Sequence, residues 1–166
     1  MMTSLTVIVP VYNEENFVIE SLKRLDKVNI VNKVIIVDDC STDNSNKLIN
    51  DFILHKNKYF MIKTIKNSGK GKAIEAAKSM IDTDYVAIHD ADLEYYPEDL
   101  SKMYKKIDDN NLILGSRFIG NKERKNVSAN GFIEATILIT PKGNIHNRPL
   151  ITFRGLPIYE KEEFQN

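Results

Sequence analysis

Three short runs, Leu5–Val11, Val34–Val37 and Tyr85–Ile88, limit the folds open to this chain more than any other feature. Each is apolar, rich in β-branched residues and closed by polar or turn-forming residues, the pattern of a strand buried on both faces. Longer amphipathic stretches lie between them. Phe17–Leu25 places Phe17, Val18, Ser21, Leu22 and Leu25 on one helical face. Asp43–Phe52 predicts a second helix with Ser41 or Thr42 as its cap, and Lys72–Ile81 a third. Pro97–Ile107 predicts a fourth, with proline in its first turn. Phe60–Ile65 alternates apolar and polar residues as a strand near a sheet edge does, and Leu112–Leu114 predicts a further strand before Gly115-Ser116.

This alternation predicts an α/β domain with a mainly parallel central sheet and helices on both faces. Right-handed crossovers bring the loops after successive strands to one edge, and ligands of such folds bind there, outside the carboxyl ends of the strands. The acidic clusters fall at those ends: Asn13-Glu14-Glu15, Asp38-Asp39 and Asp90-Ala91-Asp92. Their convergence on one place is the main sign of a site.

A chain of 166 residues can bury one core and little more. Lys plus Arg balance Asp plus Glu, 23 against 23, which argues against a nucleic-acid binder that works through bulk positive charge. The single cysteine, Cys40, excludes an internal disulfide framework and fits a reducing, cytoplasmic compartment. No basic stretch precedes the first strand, so no signal peptide is expected, and no run approaches the ~20 apolar residues of a spanning helix. A membrane would be met at the surface, peripherally. The stretch 1–120 carries the strand–helix pattern, whereas 121–166 reads as a shortened, partly irregular tail. Within it, Phe132–Ile139 predicts a strand or a short helix, Pro141–Pro149 irregular chain, and Leu150–Phe153 one last strand.

The chemistry follows from residue types. Two carboxylates one residue apart at a strand end, Asp90 and Asp92, can converge on a hard cation such as Mg²⁺ or Mn²⁺, with Glu94 as a third oxygen donor. Such an ion would neutralise a diphosphate and stabilise it as a leaving group. An isolated Asp-x-Asp is more often a pair of solvated loop acids; the position after a buried strand reverses that judgement. Asp39 can accept hydrogen bonds from a ribose or a base, or can cap the next helix. Asn67-Ser68-Gly69-Lys70-Gly71-Lys72 precedes the third helix, and a helix start with glycines and lysines favours phosphate, though the spacing is not that of a Walker motif. Arg117 can clamp a phosphate or form a surface ion pair. Cys40 reads as a small filler and His89 as a strand-end residue, and neither has the company of a nucleophile or metal ligand.

Five segments in order resemble glycosyltransferase family 2. Val7-Ile8-Val9-Pro10-Val11-Tyr12-Asn13-Glu14-Glu15 is similar to its opening strand, and Val34-Ile35-Ile36-Val37-Asp38-Asp39-Cys40-Ser41-Thr42-Asp43 to its second signature. Asn67 to Ala73 is similar to the segment before its third helix. His89-Asp90-Ala91-Asp92-Leu93-Glu94-Tyr95-Tyr96-Pro97-Glu98-Asp99-Leu100 resembles the metal motif of the polyprenyl-phosphate sugar synthases, and Gly115-Ser116-Arg117-Phe118 the segment after their next strand. The resemblance spans residues 4 to 120. It implies an A-type glycosyltransferase (Rossmann-like) fold and inverting transfer from a UDP- or GDP-sugar, with a polyprenyl phosphate at a membrane surface as acceptor. It implies that Pro10, Tyr12, Glu14 and Asp39 hold the base and ribose, with Lys72 near the nucleotide. Asp90 and Asp92, with Glu94, would hold the metal and diphosphate, and Asp92 and Arg117 are the catalytic candidates. After Lys125 the family pattern departs: the long acceptor segment is missing, and a second polypeptide or a homodimer could complete it.

Two other readings compete. One is a nucleotide-sugar-binding remnant, or part of a split enzyme, without activity of its own. The other is a phospho-receiver domain, whose acidic pair and later aspartate Asp38, Asp39 and Asp90 match loosely; it gives Asn13-Glu14 and Asp92 no role.

Overall fold

A computed structural model describes residues 4–93, 96–105, 113–116 and 135–141. Its strands are β1 (Leu5–Val11), β2 (Val31–Asp38), β3 (Tyr59–Lys63), β4 (Tyr85–Ile88), β5 (Ile113–Ser116) and β6 (Ala135–Pro141). The helices are α1 (Val18–Asp26), α2 (Ser45–Ile53), α3 (Lys70–Ala77), extended by a 3₁₀ turn at Lys78–Met80, and α4 (Asp99–Tyr104). The six strands form one sheet in the order β3-β2-β1-β4-β6-β5. The first four are mutually parallel, whereas β6 runs antiparallel to both β4 and β5.

The sheet is mainly parallel because β1, β2 and β4 are apolar on both sides and must be covered twice. Val7, Val9, Val34 and Ile36 pack with Val18, Leu22 and Leu25 of α1, Ile49 of α2 and Leu100 of α4. Ile8, Ile35, Val37, Val86 and Ile88 point the other way, onto Ala73, Ile74 and Ala77 of α3. Each fully buried Val, Leu or Ile contributes about 1.5–3 kcal/mol, so these two layers hold the sheet. Helices therefore lie on both faces, as the alternation predicts.

The departures from expectation are local. Phe17 does not join the buried face of α1; it stands at the N-cap, 46% exposed, and Val18, Ser21, Leu22 and Leu25 form the inward stripe. Neither Ser41 nor Thr42 caps α2. Asn44 occupies the cap position, and Asp43 Oδ1 accepts the Ser45 N–H at 2.9 Å. The third helix begins two residues early, at Lys70. Gly69 makes this entry with φ of 85°, where a Cβ would meet nothing within 4 Å, so the requirement is conformational and not one of space. β3 is an edge strand, and β6 makes 135–139 a strand, residues 132–134 lying outside the described residues. The proposed strand at 150–153 lies outside the described residues.

Candidate functional site

The carboxyl ends of β1, β2 and β4 open on one cleft of about 390 Å³. Pro10, Val11, Tyr12 and Glu14 line it from β1, Asp39 from β2, and Asp90, Ala91 and Asp92 from the segment after β4. Asn67, Gly69, Lys70 and Ala73 close it from the β3–α3 connection.

Two turns of unusual conformation carry the first two groups. Asn13 and Cys40, each two residues past its strand, have φ of 56° and 63°. Asparagine tolerates this region; a side chain like that of Cys40 costs about 1–2 kcal/mol there. Reciprocal hydrogen bonds hold both turns. The Asn13 N–H donates to Ser41 Oγ at 3.0 Å, and the Thr42 N–H returns a bond to Asn13 Oδ1 at 2.8 Å. The Glu14 N–H donates to Ser45 Oγ, the Glu15 N–H to Asp43 Oδ2, and the Asn44 N–H to Glu15 Oε2. Ser41, Asp43 and Glu15 thus act on the loops and not on a ligand.

The two aspartates at the end of β2 have separate tasks. Asp38 is fully buried; it accepts the Ser41 N–H at 2.8 Å and the Asn46 amide at 2.7 Å, and so shapes the turn. Asp39 faces the cleft. Its carboxylate accepts the Gly69 N–H at 2.7 Å, the Ser68 N–H at 3.0 Å and the Thr64 hydroxyl at 2.9 Å. The Cys40 thiol donates to Ile65 O at 3.6 Å, in keeping with a filler beside this loop.

Negative charge accumulates opposite. Burial, followed by the carboxylates of Asp92, Asp90 and Asp43, raises the pKa of Glu14 above its ordinary 4.5. Lys70 Nζ lies 2.6 Å from the Asp90 carboxylate. His89 is buried beneath the site, with Nε2 3.4 Å from Ser21 Oγ. Burial, and then the charge of Lys70, lowers its pKa to about 4, so the imidazole is neutral at pH 7.

Pro10, Tyr12, Glu14, Asp39, Asp90 and Asp92 therefore come together as expected from their strand ends. Lys72 does not line the cleft; its Nζ pairs with Glu75 at 2.7 Å, one helical turn on. Lys70 is the lysine in the cleft; the sequence names it only as part of the phosphate-favouring segment 67–72 and gives the place near the nucleotide to Lys72. The signal was the phase of the helix: a start at residue 70 puts Lys70, Ala73, Ile74 and Ala77 on one face and Lys72 with Glu75 on another. Glu94 and Arg117 lie outside the described residues.

The donor set suits a hard divalent ion. Asp90, Asp92 and Glu14 line the cleft and offer only oxygen, the donor type that hard cations prefer. Among the described residues no three acidic, histidine or cysteine side chains converge closely enough to hold a metal unaided.

A family model for glycosyl transferase family 2 matches residues 6–158. The chain belongs to this family. The family match runs past residue 120, where the recognised motifs end. A relative, undecaprenyl-phosphate 4-deoxy-4-formamido-L-arabinose transferase of Proteus mirabilis, is 32% identical over 117 residues, which are 68% of this chain and 36% of that protein. An uncharacterised protein of Methanocaldococcus jannaschii is 36% identical over 109 residues, 63% of this chain and 47% of its own length. The chain thus spans less than half the length of these relatives. Among solved structures, the mannosyltransferase PcManGT from Pyrobaculum calidifontis, in complex with GDP-Man and Mn²⁺, superposes with a TM-score of 0.55 at 26% identity, covering 60% of this chain and 30% of that one. S. aureus TarS in complex with UDP-GlcNAc gives a TM-score of 0.66 over 84% of this chain and 46% of its own; at 23% identity it speaks for the A-type fold alone.

Proposed function

We propose that the chain forms the donor-binding core of an inverting, metal-dependent glycosyltransferase that moves a sugar from a UDP- or GDP-sugar to a polyprenyl phosphate. The observation that carries this reading is the meeting of Glu14, Asp39, Asp90, Asp92 and Lys70, from three strand ends and one helix start, in a single cleft. The family membership supports it, as do the names of the relatives, one an undecaprenyl-phosphate sugar transferase and one a mannosyltransferase bound to GDP-Man and Mn²⁺.

The base and ribose would sit against Pro10, Tyr12 and Asp39. Asp90 and Asp92, with Glu94, would hold Mg²⁺ or Mn²⁺, which when bound neutralises the leaving diphosphate. Arg117 would face the donor diphosphate or the acceptor phosphate. An acceptor phosphate oxygen attacks the anomeric carbon of the sugar while the bond from that carbon to the diphosphate oxygen breaks. The bonding pair leaves with the nucleoside diphosphate, and attack from the opposite face inverts the centre. A phosphate oxygen is already an anion, so no side chain is required as general base. Neutral His89, buried behind the site, is not called on.

Calorimetry with GDP-mannose and UDP-sugars, in Mn²⁺ and in EDTA, tests the reading. Affinity is expected to fall at least about tenfold in EDTA, with Asp90→Asn and Asp92→Asn giving a similar loss. Equal affinity in both conditions would remove the metal from the site. The relatives' greater length favours a second reading, donor binding without transfer; turnover on a polyprenyl phosphate separates the two.

The phospho-receiver alternative is overturned. That fold has the order 2-1-3-4-5. Here β3 pairs with β2 and lies on the outer side of it, β4 is the other neighbour of β1, and antiparallel β6 joins the sheet. Among the described residues no helix is long and apolar enough to cross a membrane.

A further inference from the structure

We propose that Lys70 is the resident counter-ion of Asp90, so that metal and donor enter the cleft by cation exchange and the donor's phosphates draw Lys70 away from the carboxylate. This rests on the assignment of Asp90 as a metal ligand. The geometry starts from the backbone. Lys70 is the first residue of α3, and the residue before it, Gly69, is held by Asp39 through a 2.7 Å hydrogen bond. Gly69 O accepts the N–H groups of Lys72 and Ala73 at 3.0 and 3.1 Å, and Ala73 and Ala77 are buried against the sheet. The start of α3 is therefore fixed, and only the long Lys70 side chain is free to relocate.

That side chain ends 2.6 Å from the Asp90 carboxylate, with Lys70 39% and Asp90 19% exposed. The pair is half-sheltered, so solvent screens it only in part. A divalent ion on Asp90 would meet the ammonium charge at close range. The two cations would compete for the same carboxylate and repel each other at close range, and a lysine displaced without a new partner would have to sit beside two added positive charges. A nucleoside diphosphate removes that conflict. Its phosphate oxygens give the ammonium a partner, and the N-terminus of α3 adds a favourable dipole at the same place. Lys70 thereby makes the cleft a poor site for the free ion and a good one for the ion together with a diphosphate.

The test is Mn²⁺ binding without nucleotide, followed by electron paramagnetic resonance of the free ion. The proteins are the full chain, Lys70→Met, and Lys102→Met, which removes an equal charge from an exposed lysine paired with Asp99 on α4. Lys70→Met is expected to bind Mn²⁺ about tenfold tighter than the parent, and Lys102→Met to match the parent. Addition of GDP or UDP should tighten Mn²⁺ binding to the parent more than to Lys70→Met. Lys70→Gln, which keeps a polar side chain, carries the same expectation should the methionine variant not fold. Unchanged or weaker Mn²⁺ binding in the folded Lys70 variants overturns the exchange and leaves the metal site standing. Absence of Mn²⁺ binding in every protein overturns both.

Discussion

Asp39 Oδ2 accepts the backbone N–H of Gly69 at 2.7 Å, joining the end of β2 to the residue that opens α3. With the bonds from Ser68 and Thr64, most of the acceptor capacity of this carboxylate is already engaged by the 64–69 loop. Asp39 therefore positions Gly69 and Lys70 in addition to any contact with a nucleotide. Asp39→Ala is expected to cost about 1–3 kcal/mol of stability by removing hydrogen bonds to a charged acceptor. Hydrogen exchange of the Ser68 and Gly69 amides should accelerate before that of β1, and nucleotide affinity should fall with it. Slow exchange at both amides in the variant would show that the loop holds itself.

Asp26 gives a pH signature remote from the cleft. It ends α1 and accepts Lys56 Nζ at 2.6 Å and the Tyr59 hydroxyl at 3.0 Å, with Lys58 Nζ 3.3 Å away. Burial alone would raise its pKa; the hydrogen bonds from Lys56, Tyr59 and Lys58 outweigh it and bring the value below the ordinary 3.8. A depressed carboxylate contributes stability that is full above its unfolded value and is lost as pH falls through the folded one. Asp26→Asn should then lower the urea-unfolding free energy by about 1 kcal/mol at pH 7, and the difference should fade below pH 3.8. A difference that is the same at both pH values would remove the charge from the explanation.

β6 is an internal strand, paired with β4 on one side and β5 on the other, and Ile139 lies opposite both Ala87 and Ile113. Proline has no N–H to give to such a ladder. Ile139→Pro should cost at least about 1–3 kcal/mol, the penalty of an unpaired sheet carbonyl, and should lower the thermal midpoint. Because β4 leads directly to Asp90 and Asp92, nucleotide binding should weaken as well. An unchanged midpoint would show that the cleft stands without β6.

The sequence by itself determined the parallel half of this protein. A run such as Leu5–Val11, apolar at every position but Thr6, can only be satisfied by cover on both faces, and the loops of such strands meet at one edge. That is why Glu14, Asp39, Asp90 and Asp92 were legible as one site before any coordinates. The tertiary structure decided what depends on direction and partner. The phase of α3 turned Lys70 inward and Lys72 out to Glu75, because buried Ala73, Ile74 and Ala77 set the rotation of the helix. The second carboxylate at the end of β2 took the cleft because the first was drawn inward by Ser41 and Asn46. A strand from beyond residue 120 entered the sheet between β4 and β5, since pairing across so long a separation leaves no mark in the local pattern of Ala135–Pro141.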